Sequence, residues 1–125
     1  MAYELHIDKG PRNLSLGEWK LAVESTEGAR FVSRDHTIIN PTTGERITIP
    51  YRDGDVEVYW PTDEKWRAAF SWFEGVASFR ANFSPGDRSN PVWRAAVQLA
   101  SKLGAVIRGD NGEIYDHTTG DVVDV

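Results

Sequence analysis

The run from Asn90 to Tyr115, NPVWRAAVQLASKLGAVIRGDNGEIY, constrains the chain more than any other stretch. Asn90 offers a side-chain oxygen that can cap a helix, and Pro91 suits the first helical position, where no backbone donor is needed. Trp93, Ala96, Val97, Ala100 and Leu103 recur at spacings of three and four, so they share one helix face, with Arg94, Gln98, Ser101 and Lys102 mostly opposite. Gly104 stands where a left-handed closing residue is wanted, and Lys102 puts a cation in the last turn. Ala105-Val106-Ile107 and Glu113-Ile114-Tyr115, on either side of Gly109-Asp110-Asn111-Gly112, predict two short strands around a turn. A helix feeding a hairpin through one glycine needs a sheet to lie on, and the preceding residues are expected to supply it.

They do so in alternating segments. Tyr3, Leu5 and Ile7 alternate with Glu4, His6 and Asp8, the pattern of a half-buried strand. Ser15 and Glu18 form a capping-box pair, with Leu14 and Trp19 in hydrophobic-staple positions; the helix they start carries Trp19, Ala22 and Val23 on one face and is expected to close at Gly28. Phe31-Val32 and Thr37-Ile38-Ile39 read as short strands before the turn cluster Asn40 to Gly44. Ile47 to Trp60, with an Asp53-Gly54 turn inside it, reads as one hairpin, and Pro50 confines its first arm to an edge or a strand end. Pro61 to Glu64 either caps a short helix through Arg67 or forms a loop. Ala69 to Arg80, turning at Glu74-Gly75, reads as a second hairpin whose aromatic density places it centrally in the sheet. Asp121 to Val125 is a last strand or a mobile tail. The whole predicts a single α+β domain over residues 1–125: a mostly antiparallel sheet of five to seven strands built from hairpins, with two helices packed on one face.

Composition narrows the chemistry. The absence of cysteine excludes disulfides and thiolate metal sites. No apolar run approaches the roughly 20 residues of a membrane helix, and the first ten residues lack a signal core, so a cytoplasmic location is expected. No Gly-x-Ser-x-Gly or phosphate-loop pattern is present, and His6, His36 and His117 fit no known zinc spacing, although His6 and Asp8 share a strand face and Asp35-His36 and Asp116-His117 are adjacent pairs. No catalytic residue, metal or cofactor is therefore assigned. Trp19, Trp93 and Trp72 read as core; Trp60 and Trp66, beside an acidic loop, are the candidates for exposure.

Nineteen acids against fourteen bases give a net charge of −5, which argues against a nucleic-acid surface and suits a basic protein partner, or only solubility. Asp53, Asp55 and Glu57 cluster around one turn, with Trp60, Asp63 and Glu64 just beyond, and these six are the first candidate contact surface. The segment from Gly109 onward carries Asp110, Glu113, Asp116, Asp121 and Asp124 with no Lys or Arg, and is the second.

The opening Met1-Ala2-Tyr3-Glu4-Leu5-His6-Ile7, the helix start Ser15-x-x-Glu18-Trp19 and the closing Leu103-Gly104-Ala105-x-x-x-Gly109-Asp110-x-Gly112-Glu113-x-Tyr115 resemble a group of small bacterial proteins akin to the immunity proteins of polymorphic-toxin systems, including contact-dependent inhibition and type VI secretion. The resemblance covers roughly 45 residues at the two ends and transfers no catalytic assignment. It implies a non-enzymatic inhibitor that binds one cognate toxin, a basic nuclease being the expected kind, without contacting nucleic acid or membrane itself. Two alternatives stand beside it: a small enzyme using a carboxylate or His6 in a pocket on the sheet, and a regulatory module that self-associates through a sheet edge.

Overall fold

In the computed structural model, residues 3–10, 13–32, 36–49, 53–81, 83 and 85–124 are described. The expected arm of Pro50 and Tyr51, and the Asp35 of the Asp35-His36 pair, lie outside them.

The elements run β1 (Tyr3–Asp8), α1 (Leu16–Glu24), β2 (Ala29–Phe31), β3 (His36–Ile39), β4 (Arg46–Ile49), β5 (Val56–Trp60), β6 (Lys65–Phe73), β7 (Val76–Ala81), α2 (Pro91–Leu103), β8 (Val106–Gly109), β9 (Ile114–Tyr115) and β10 (Val122–Asp124). Eight strands make one antiparallel sheet in the order β10-β9-β8-β1-β7-β6-β5-β2, and β3 and β4 make a separate two-stranded ribbon. The α+β class and the hairpin-built sheet hold, with more strands than expected. No helix among the described residues is long and apolar enough to cross a membrane.

Local chemistry sets the helix starts. Ser15 accepts from the Glu18 N–H while the Glu18 carboxylate accepts from the Ser15 N–H, and Leu14 and Trp19 beside this box are both fully buried. Asn90 Oδ1 accepts from the N–H groups of Val92 and Trp93, Pro91 opens α2, and Gly104 closes it at φ 63°. The first helix stops earlier than Gly28. Ser25 is its C-cap, Thr26 Oγ1 turns back to the Ala22 carbonyl at 2.7 Å, and Lys102 of α2 donates to Ser25 O and Thr26 Oγ1. That lysine serves the carbonyl end of the neighbouring helix, where its charge is also favoured. Gly28 instead accepts from the Tyr59 N–H at 2.9 Å, at the entry to β2.

Both helices cover one face of the sheet. Leu5, Ile7, Val56, Val58, Phe70, Ala77, Phe79 and Ile107 meet Trp19, Ala22 and Val23 of α1 and Trp93, Ala96, Leu99 and Ala100 of α2, all buried. Each large apolar side chain so buried stabilises the fold by about 1.5–3 kcal/mol. Trp19 packs edge-on to Phe70 with ring centroids 5.8 Å apart, and its Nε1 donates to the Gly54 carbonyl at 2.8 Å, which ties α1 to the turn before β5. The Glu74-Gly75 turn joins β6 and β7 as expected, in the central part of the sheet.

One expected hairpin is wrong. Ile47 to Trp60 does not pair with itself: β4 pairs with β3, Ile47 opposite Ile38, while β5 takes β2 and β6 as neighbours. Alternation marks a strand but does not choose its partner. Pro61 to Glu64 resolves as a turn, and Lys65 to Arg67, placed in the possible helix, begins β6.

Candidate functional site

The helices leave the other face of the sheet open, and its side chains follow from the strand register. With Leu5 and Ile7 inward, Glu4, His6 and Asp8 point outward. Directly opposite residues share a face, so Ser71, Ser78, His6, Arg108 and Ile114 form one row across β6, β7, β1, β8 and β9. His6 is engaged at both ring nitrogens. Its Nδ1 lies 2.7 Å from Ser78 Oγ and its Nε2 lies 2.8 Å from Asp110 Oδ1. An ionised carboxylate only accepts, so Nε2 carries the hydrogen; in the neutral ring Nδ1 is then the acceptor and Ser78 O–H the donor.

Asp110 is held by an organised turn. Gly109 N–H reaches Glu113 O at 2.8 Å, Gly112 N–H reaches Gly109 O at 3.0 Å, and Asn111 N–H donates to the Glu113 carboxylate. Tyr115 O–H donates to the same carboxylate at 3.0 Å. Arg108 locks the turn to the sheet, with one donor on the Gly112 carbonyl and another on Asp8 at 3.1 Å. The Leu5-His6-Ile7 strand and the Gly109-Asp110-x-Gly112-Glu113 turn, 104 residues apart at the point of contact, thus meet through His6 and Asp110. No local pattern links them; only the pairing of β1 with β8 does.

A second cluster sits on the same face near the β2 edge. Arg30 stacks 3.9 Å over the Trp66 ring and donates to Glu57 at 2.6 Å, and Tyr59 packs on Trp66 with centroids 5.4 Å apart. Trp66 is half-buried beneath the arginine, and Trp60 turns the other way, packing on the core and under Arg67. Neither tryptophan is exposed as the sequence suggested. The Trp60 Nε1 is buried with no acceptor among the described residues.

The first six candidate residues are spread over both ends and both faces of the β5–β6 hairpin. Asp53 is exposed and pairs with Lys20 of α1 at 3.3 Å; Asp55 precedes β5, and its carbonyl accepts from the Val32 N–H. Glu57 pairs with Arg30, and Asp63 pairs with Arg67. Glu64 is exposed in the turn at φ 56°. Five residues of strand separate Asp55 from Pro61, ~20 Å at the usual rise. They do not form one uncompensated acidic patch, because bases distant in sequence fold onto Asp53 and Glu57, and Asp63 meets Arg67 four residues along.

The second set is mostly structural. Asp110 holds His6, and Glu113 is buried inside its turn. Asp116 accepts from the Thr119 and Thr118 N–H groups, which hold its carboxyl below the usual range. Asp121 is exposed, and Asp124 belongs to β10 with its side chain outside the described ones. His117 lies 3.5 Å from Ser101 Oγ. Among the described residues no three histidine or carboxylate side chains are grouped to hold a metal ion.

The ribbon was missed as a separate body. Ile38, Ile39 and Ile47 on it are 45%, 56% and 51% exposed. The turn at its tip is well formed: Asn40 Oδ1 accepts from Thr42 and Thr43, and Gly44 N–H reaches Asn40 O at 2.8 Å. The isoleucines were visible in the sequence, but their exposure depended on which strands β3 and β4 paired with. Against family models, curated proteins and solved structures, the chain finds no match.

Proposed function

We propose that this chain is a cytoplasmic binding protein of the immunity kind, which neutralises a cognate protein toxin by covering part of its surface. The observation that carries the reading is the β3–β4 ribbon. A two-stranded ribbon standing apart from the main sheet is marginal in water, and three half-exposed isoleucines on it are apolar area with no layer packed over them among the described residues. Such an arm suits insertion against a partner.

Charge acts mainly at long range. Asp53, Glu57 and Asp63 are already paired, so they add little contact energy, whereas the net charge of −5 acts at longer range and favours encounter with a basic toxin. The toxin as partner, a nuclease being the expected kind, is supported by the resemblance of the two chain ends.

The test is affinity capture from source cells expressing their secreted proteins, with wild-type bait beside an Ile38→Thr/Ile39→Thr/Ile47→Thr bait, which keeps β-branched residues in the strands. Retention of a basic C-terminal fragment of a large secreted protein by the wild type, weakened by salt and lost from the folded triple variant, is expected. Equal retention by both baits overturns the ribbon as the contact, and capture of no secreted fragment overturns the immunity reading.

A further inference from the structure

We infer that Ser78, His6 and Asp110 form an acyl-transfer site on the open sheet face, taking esters with an apolar acyl group. This is independent of the ribbon and of the toxin reading.

The geometry assigns the parts. Ser78 O–H donates to His6 Nδ1 at 2.7 Å, the contact a hydroxyl nucleophile needs with its general base. Asp110, 2.8 Å from Nε2, fixes the tautomer that leaves Nδ1 free to take the proton, and it faces the positive ring that results. It is a positioning residue. Its own place is set by the Arg108- and Glu113-braced turn, so the array does not depend on a loose loop. Beyond Ser78, Ser71 is its direct neighbour across β6 and β7, exposed and on the same face, and offers a hydroxyl donor to a developing oxyanion. Phe73, two residues further along that face, is 63% exposed and gives the acyl group an apolar seat. The charged groups around the ring are Glu4, 3.9 Å from Nδ1, Arg80 opposite Glu4 on β7, and Arg108 opposite His6 on β8, already engaged by Asp8.

The step balances without a cofactor. Ser78 Oγ bonds to the ester carbonyl carbon as its proton passes to His6 Nδ1. The carbon–oxygen bond to the alcohol breaks, and the alcohol leaves with that proton. Water then attacks the acyl-serine, giving up a proton through the same nitrogen, and releases the carboxylic acid with Ser78 restored.

Two probes test this on the whole chain. Diisopropyl fluorophosphate is followed by peptide mapping, and p-nitrophenyl butyrate by steady-state turnover, with folding of each variant checked by circular dichroism. The expected result is one adduct, on Ser78, with labelling and turnover lowered about 100-fold or more in His6→Gln. Ser78→Ala removes both, and Asp110→Asn lowers turnover and changes its pH profile, which a merely structural contact would not do. Labelling of another residue, no labelling at all, or equal rates in wild type and His6→Gln overturns the site.

Discussion

Replacing Trp19 and Trp60 separately by Phe isolates one buried hydrogen bond. At Trp19 the substitution removes the donor to the Gly54 carbonyl and leaves a fully buried site smaller by one ring. An orphaned buried acceptor costs about 1–3 kcal/mol, and the unfilled volume about 1–2 kcal/mol more, so the sum is roughly 2–5 kcal/mol. Unfolding entropy near 2.1 cal/mol/K per residue over 125 residues converts this to a melting temperature lower by about 8–19 °C. At Trp60 the same change removes an indole N–H that is buried with no acceptor among the described residues. The loss of packing, including the ring under Arg67, is then offset by relief of about 1–3 kcal/mol of desolvation, and the net change should be within about 1 kcal/mol of zero. Urea titration with circular dichroism measures both variants. The reasoning fails if Trp60→Phe is as damaging as Trp19→Phe, because only Trp19 has both a satisfied N–H and a fully buried ring.

Further outcomes follow from other contacts. Asn90→Ala removes the acceptor for two N–H groups at the start of α2 and should lower stability by about 1 kcal/mol in the same titration. Gly54→Ala should cost about 2 kcal/mol or more, because φ is +94° and the new Cβ would meet Trp72 Cβ at 2.9 Å. The Lys9 ammonium, bonded to Glu18, and the Ser15 N–H lower the Glu18 carboxyl from 4.5 to about 2. A depressed carboxylate stabilises above its unfolded value, so melting temperature should fall as pH drops from about 4.5 towards 2, and Glu18→Gln should flatten that part of the profile.

The parts legible in the sequence are those written within a few neighbouring residues. Asn90-Pro91 and Gly104 bound α2, Ser15 with Glu18 starts α1, and Glu74-Gly75 turns the central hairpin, because a cap or a tight turn is decided by local backbone geometry. What failed was partnership. Ile47 alternates as well as Val56 does, and nothing local says that one belongs to Ile38 and the other to Phe31 and Phe70. The charge environment of the candidate contact surface was illegible for the same reason. Lys20 and Arg30 lie 33 and 27 residues from the acids they pair with, so a cluster uncompensated along the chain is largely compensated in space. His6 was noted as sharing a strand face with Asp8, yet its contacts are Ser78 and Asp110, reached only through two neighbouring strands.

The position of β1 has a consequence for how the chain is made. Its two neighbours, β7 and β8, begin 68 or more residues after it ends, so on a ribosome it emerges with neither edge paired. At about 5–20 residues per second it waits several seconds for β7 and longer for β8, with Leu5 and Ile7 exposed on a strand open on both sides. The sheet therefore cannot grow outward from its first strand. The local β6–β7 hairpin is a better seed, and closure of the core comes late, through pairings of long sequence separation that make folding slow. Glu4, His6 and Asp8 interrupt the apolar character of the waiting strand, and these same polar residues discourage it from pairing with another copy in the interval.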